Sequence, residues 1–288
     1  MEHIQYFESF GDFLQFVDVP VKGVFNSSHQ TGKSASEFRG TSSFAEAMNL
    51  ARNGWEEGTK ELEVYASQFT NVLGSLLQID EYFYDVTGQD FDLDRVLIGE
   101  PEAWLNSEPV QVKAPALHTL KFVVNIGASN GVSKESIMQR GGAITALIML
   151  LEKSRRRVEL ELVTRVAVRP QWEDKTNHLA DCNIGTGKIL AKQAGDDLDF
   201  GKLAFMLAHP SMLRRLGAAL KENYSNKTIA KQVCDASYGY SIDVLEEERG
   251  DIYAPRMFGL SSEWTPEIAK EFILGELKKQ GVELKGDL

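Results

Sequence analysis

Cysteine is almost absent: Cys182 and Cys234 are the only two in 288 residues. Two lone cysteines supply neither a disulfide framework nor a four-ligand zinc site, and they suit a reducing, cytoplasmic setting. Long apolar runs are missing as well. Nothing approaches the roughly 18 residues that a membrane span needs, so no membrane association is expected. The opening MEHIQYFESF is acidic and lacks a basic stretch ahead of an apolar one, which argues against a secretory signal. Internal repeats and low-complexity tracts are lacking. The five histidines, His3, His29, His118, His178 and His209, include no pair at the i, i+4 spacing of a helical metal site. No Gly-x-Ser-x-Gly elbow occurs, and neither cysteine has a local base that would activate it.

Positive charge is scarce in one part of the chain. The net charge is −11. Residues 1–118 carry 19 acidic and 7 basic side chains, and residues 119–288 carry 23 and 24. The first part repels phosphate backbones at long range, which argues against bulk duplex binding, while local basic patches stay open in the second.

A complete phosphate loop is also wanting. SSHQTGKS ends in Gly32, Lys33 and Ser34, but Ser27 stands where the first glycine belongs. That glycine lets backbone amides curl round a phosphate. The segment that follows, ASEFRGTSS, reads as loop rather than as the required helix start. CNIGTGKI has Cys182 for the first glycine and Ile189 for the metal-binding hydroxyl. Neither stretch is expected to bind nucleotide.

What is present is a regular alternation of elements. The stretch FESFGDFLQFV predicts a short helix. SSFAEAMNLARNGW predicts another, with Ser43 and Glu46 at capping-box spacing, Phe44, Ala47, Met48 and Ala51 on one face, and Gly54 at its end. A third helix is expected over residues 59–76, a strand in EYFYDV, and a short helix in DFDLDRVLIGEPEAWL. Pro109 and Pro115 mark an expected boundary between an acidic, mainly helical region, 1–116, and an α/β domain, 117–288.

In the second part TLKFVVNI reads as a strand buried on both faces. Ser133 is placed to cap the next helix, whose stripe is Ile137, Ile144, Leu147, Ile148 and Leu151. VELELVTRVAV alternates, so Glu159, Glu161 and Arg165 are expected on an exposed face. GKILAKQA is expected to pair back as an antiparallel edge. Asp199 caps a helix that Pro210 interrupts, GDIYAP is a short strand, and Thr265 with Pro266 opens a last helix. The order predicts a three-layer α/β core with a mostly parallel sheet and an antiparallel edge.

This succession resembles a von Willebrand factor A-like domain over roughly residues 117–282. Four stretches, GTSSFAEAMNLARNGW, IMQRGGAITALIMLLE, LDFGKLAFMLAHPSMLRRLGAAL and ERGDIYAP, are similar to an uncharacterised family of tailed-phage and prophage proteins, which implies a phage origin and no stated activity. The first resemblance implies a metal site of the form Asp-x-Ser-x-Ser at the top of the first strand. Here the matching stretch is NIGAS, with Asn125 for the aspartate, Gly127 for the first serine, and Ser129 alone in agreement. Losing a carboxylate and a hydroxyl leaves too few hard oxygens for Mg²⁺. The site is expected to be degenerate, and no metal or other cofactor is assigned.

Such domains bind proteins through the loops above the first strand. The expected function is therefore non-enzymatic binding of a phage or host protein, with Asn125, Ser129, Asn130 and Ser133 at the surface and Asp196, Asp197 and Asp199 nearby. GDDLD could instead serve a metal-dependent phosphohydrolase or nuclease, although carboxylates at a helix start are ordinary capping groups. The alternative partner is single-stranded nucleic acid, met by Arg155, Arg156, Arg157, Arg169 and Trp172 as basic groove and stacking platform. Arg214 and Arg215 form a second basic cluster. Against this, arginines at a helix end also offset its dipole, and Trp55 and Trp172 can simply be core.

Overall fold

The computed structural model describes residues 1–19, 36–60, 62, 64, 82–88, 90–107, 119–129, 131–153, 156–168, 182–197, 199–258 and 264–281. The helix expected over 59–76 and the stretch Ser27–Ser34 lie wholly or largely outside them.

The chain opens with β1 (Glu2–Phe7) and α1 (Phe10–Val17). Ser9 caps α1 by accepting the Asp12 N–H at 3.0 Å. A single turn, α2 (Ser36–Arg39), precedes α3 (Phe44–Asn53). The Ser43 hydroxyl accepts the Glu46 N–H at 3.1 Å, as the capping spacing predicts. Glu46 closes the box one residue earlier than expected, on the Ser42 N–H at 2.8 Å. Gly54, at φ +89°, ends the helix where a side chain would press on the Gly201 backbone. A small antiparallel sheet follows, made of β2 (Tyr82–Asp85), β3 (Asp90–Phe91) and β4 (Trp104–Ser107) in the order β2-β4-β3, with α4 (Leu93–Leu97) between its last two strands.

The main fold then runs through β5 (Thr119–Asn125), α5 (Lys134–Lys153), β6 (Arg157–Val168), β7 (Asn183–Lys192) and α6 (Phe200–Ala208). A π-helical turn, Met212–Leu216, leads into α7 (Gly217–Asn223). The chain ends with α8 (Lys227–Asp235), β8 (Tyr240–Ser241), β9 (Ile252–Ala254) and α9 (Pro266–Lys279). Thr265 caps α9 on the Ile268 N–H, with Pro266 at the first helical position.

The molecule is a mixed α/β protein. Its main sheet has the order β1-β7-β6-β5-β9. The pairs β5/β6, β5/β9 and β1/β7 are parallel, and β6/β7 is antiparallel. The sheet is thus mostly parallel, with an antiparallel margin formed by β7 and β1. CNIGTGKI, the second partial phosphate-loop match, is largely the extended chain of β7 itself. β1 was not anticipated. It carries the first residues of the chain into this sheet, and Phe7, α1 and α3 share one continuous core with β5, β6 and α5. The boundary expected near residue 116 therefore does not separate two cores.

The sheet's two faces differ. Leu120, Phe122 and Val124 of β5, with Val158, Leu160, Leu162 and Val166 of β6, bury against the helices. Among the described residues the helices gather on this face, so the layers number two rather than three. The opposite face carries a small cluster, Val123, Val163 and Val244 with Tyr253. β6 is not half exposed as its alternation suggests: Glu161 and Arg165 are both 5% exposed. The chain from β8 to β9 crosses this face. There the Lys121 ammonium meets Glu161 at 2.9 Å, and the Arg165 guanidinium meets Glu2 at 3.1 Å while donating to the Asp243 carbonyl. Charged side chains read as solvent-facing are buried here because each finds its partner on another element.

α5 approaches the end of α6 closely. A Cβ on Gly141 would fall 2.6 Å from the Ala208 Cβ and 2.9 Å from its Cα. Neither backbone can yield cheaply, since both helices are buried. Gly141→Ala is expected to lower the unfolding free energy by about 1–3 kcal/mol despite its better helix propensity, read as a drop in urea midpoint at unchanged slope.

Candidate functional site

β5 pairs with β6 on one side and β9 on the other, and its chain leaves the sheet after Asn125. β6 continues past it, and β8 takes up pairing at Val166 and Ala167. The carboxyl end of β5 therefore opens between diverging chains, a place where α/β sheets commonly carry ligands.

Four side chains close this end. Asn125 is fully buried. Its Oδ1 accepts the Gly127 N–H at 2.9 Å, and its Nδ2 donates to the Ile242 carbonyl at 3.0 Å and to the Tyr253 hydroxyl at 3.3 Å. Tyr253 donates in turn to Asp243 Oδ1 at 2.8 Å, which also accepts the Arg256 N–H. From the helix side, Nη2 of Arg140 donates to the carbonyls of Asn125, Ala254 and Pro255, at 3.0, 3.2 and 2.8 Å. Burial pulls the Arg140 pKa down to about 10, with Tyr253 and Asp243 acting in the other direction. The guanidinium is still cationic at neutral pH.

The loop above is held by its main chain. The Met257 N–H donates to the Gly127 carbonyl and the Ser129 N–H to the Met257 carbonyl. A Cβ on Gly127 would lie 2.0 Å from the Ser241 Oγ. The serine that an A-domain metal motif would place at 127 would have to displace the Ser241 hydroxyl, and the Asn125 carboxamide is engaged by the chain itself. Ser129 is half-buried, and Ser133 is exposed and accepts the Ser136 N–H as the α5 cap. Asn130 lies outside the described residues.

The acidic group expected nearby is at the other end of the sheet. Because β7 runs antiparallel to β6, its start, Asn183, pairs with Val168, and its end, Lys192, pairs with Leu160. The chain after β7 emerges beside Arg157 at the amino end of β6, where a Cβ on Gly195 would sit 3.0 Å from Arg157 Nη1. Asp196 and Asp197 follow there and cannot share a surface with Asn125. Asp196 accepts the Gln193 N–H, and Asp199 caps α6 on the Lys202 N–H at 3.0 Å. Among the described residues no three His, Cys, Asp or Glu side chains come together as metal ligands.

The basic set is likewise dispersed. Arg156 is 8% exposed and donates to the Gln280 carbonyl at 2.7 Å, so it braces α9 instead of facing a groove. Arg157 is exposed at the amino end of β6. Arg155, Arg169 and Trp172 lie outside the described residues. Trp55 is buried against His209, ring centroids 4.4 Å apart. His209 also stacks on Phe205 and accepts the Ser211 N–H at Nδ1. Cys234 has its thiol pushed up to about 12 by burial and by nearby Glu222 and Asp235, against a smaller opposing effect of Lys221, so the nucleophilic thiolate is disfavoured.

Arg140, Asp243, Tyr253 and Arg256 were not singled out in the sequence. One signal was available: Arg140 is the one charge between Glu135 and Glu152 on a long apolar helix, and a buried charge must be compensated by fixed polar groups.

Two outcomes follow from this geometry. Asn125→Asp replaces the donor to Ile242 with a carboxylate facing a carbonyl. It is expected to cost about 2–4 kcal/mol at pH 7, and less in acid, where protonation restores a donor. Denaturation of both proteins at pH 7 and pH 4 checks this. His209 is buried, and desolvation, helped by Lys134 and opposed by Glu46, lowers its pKa to about 4. The folded value lies below the unfolded one, so stability is complete above about pH 6.5 and is lost as pH falls toward 4, by of order 3 kcal/mol. His209→Asn, which keeps an acceptor for Ser211, should flatten that slope in a urea-midpoint series from pH 7.5 to 4.5.

No described helix is long and apolar enough to cross a membrane. No curated protein and no solved structure matches the chain. A family model described as a domain of unknown function (DUF7192) matches residues 2–283, and the chain belongs to that family.

Proposed function

We propose that this protein is a non-enzymatic binding module with a von Willebrand factor A-like core, and that it engages a protein partner through the loops at the carboxyl end of β5. The succession β5, α5, β6, then an antiparallel β7, with β9 on the far side of β5, supports the fold reading through strand order alone, since the described helices supply only one of the two helical layers. The observation that carries the function is the Arg140 bridge. One guanidinium ties the ends of β5 and β9 together, so the loops above them form a fixed platform whose ordering cost is met on folding rather than on binding. Phe258, 52% exposed beside Arg256, stands on that platform as an apolar contact, with Ser133 exposed near the same end. The phage origin, the phage or host partner and the cytoplasmic setting belong to the same proposal.

The test is a comparative capture experiment with lysate of infected cells. Wild type and Asp197→Lys, altered at the opposite end of the sheet, are expected to retain the same protein, and Phe258→Glu to retain at least about tenfold less, as loss of one buried aromatic anchor implies. Equal retention by all three, or loss only with Asp197→Lys, would remove the β5 end as the interface. Saturable, salt-sensitive binding of a single-stranded oligonucleotide by wild type, with no protein retained, would replace the reading with the nucleic-acid one.

A further inference from the structure

The small sheet of β2, β3 and β4 carries a helix, α4, whose sides are reversed. At 3.6 residues per turn Leu93, Val96 and Leu97 share one face, and Arg95 lies across from them. A surface helix ordinarily turns its apolar stripe inward and its charges outward. α4 does the opposite. The Arg95 guanidinium stacks over the Tyr84 ring of β2 at 3.9 Å and pairs with Glu100 at 2.6 Å. The Tyr84 hydroxyl donates to Asp92 Oδ2 at 2.9 Å, and Asp92 Oδ1 accepts the Arg95 N–H at 3.3 Å. The Arg95 side of the helix is thereby fixed to the sheet, and the apolar stripe faces away from it. Leu93 and Val96 are exposed, Leu97 is 74% exposed, and Ile98, one residue past the helix, is 73% exposed. None of the four joins either apolar cluster of the described residues.

Apolar side chains scattered singly over a surface need no explanation, but contiguous ones mark interaction sites. The main chain beneath this patch is already engaged. The N–H groups of Val96, Gly99 and Glu100 donate to the carbonyls of Asp92, Val96 and Arg95. The patch therefore offers side chains and not a strand edge. Its charge selects the partner. Residues 82–107 hold six acidic side chains, Asp85, Asp90, Asp92, Asp94, Glu100 and Glu102, and one basic, Arg95. That one cation is already paired with Glu100, while Asp85 and Glu102 are exposed. Such a rim repels nucleic acid, anionic lipid and a second copy of this acidic chain, and it attracts a cationic segment.

We propose that the outward face of α4 docks a basic amphipathic helix of a partner protein. Its apolar anchors lie on Leu93, Val96, Leu97 and Ile98, and its lysine or arginine residues meet the acidic rim. Anchors at i, i+3, i+4 and i+7 match an apolar stripe of the same period, side chain against side chain. The surface belongs to the small sheet, so it stands whether or not the loops above β5 bind a protein.

The experiment is fluorescence anisotropy of two labelled helical peptides, each about 18 residues long, against the full chain at physiological salt. Both carry one stripe of leucines, and they differ in having lysines or glutamates on the polar face. The lysine peptide is expected to bind saturably with a dissociation constant of order 10 μM, and the glutamate peptide at least about tenfold more weakly. Leu97→Ser, and separately Leu93→Ser, should each weaken the lysine peptide by about fivefold or more. Both variants should melt within about 2 °C of wild type, because exposed side chains contribute little to folding. Ile268→Ser, which alters an exposed apolar residue of α9, should leave peptide binding unchanged. No binding of the lysine peptide, or binding that both leucine variants retain in full and that is therefore bulk charge attraction, would overturn the proposal. Sedimentation of the protein alone as a dimer that Leu97→Ser dissolves would replace the partner helix with a second copy. Flotation with phosphatidylcholine vesicles that Leu97→Ser abolishes would replace it with a membrane surface.

Discussion

Everything at the carboxyl end of the sheet depends on one buried cation. β5 and β9 stop pairing with each other after Val124 and Ala254, and the carbonyls of Asn125, Ala254 and Pro255 are left converging. Converging acceptors that are cut off from water need donors. Arg140 supplies them from the helix that follows β5, so the element that buries the sheet also satisfies its ends. The cost is desolvation of a full charge, which excellent geometry must offset. Asn125 does the complementary task on the other side of the strand, its amide oxygen accepting from Gly127 and its amide nitrogen donating to Ile242. Together they turn a loop that would otherwise wander into a fixed rim, and they do it with side chains of this chain alone.

Local signals survived the passage from sequence to structure. Ser43, Ser133, Asp199 and Thr265 cap helices where their spacing predicts, because a cap is decided within four residues. The continuous apolar run of β5 did mean burial on both faces. Non-local decisions were the ones lost. β1 has little character of its own, and its place is set by β7, about 180 residues away. Glu161 and Arg165 alternate like surface residues, and only the return of the chain through 240–254 buries them.

The candidate site shows the same division. Asn125 was singled out by the match of NIGAS to a metal motif, and the structure places it buried at the end of β5, held by the chain's own groups. The acidic set was assigned to the wrong end because composition carries no strand direction, and a single antiparallel pairing moved Asp196 and Asp197 the length of the sheet. Arg156 looked like part of a basic surface, but α9 folds over it. Arg140, Asp243, Tyr253 and Arg256 come from separate turns and elements and have no common spacing for a motif to capture.

Charge placement qualifies what the net value of −11 implies. Arg214 and Arg215 are held by main-chain carbonyls, while exposed acids such as Asp196 and Asp197 sit at the far end of the sheet. At physiological ionic strength fields are screened within about 8 Å. A long polyanion would feel the acidic surface over much of its length. Overall acidity is therefore compatible with buried arginines, because their charge is held inside the fold and not displayed on the surface.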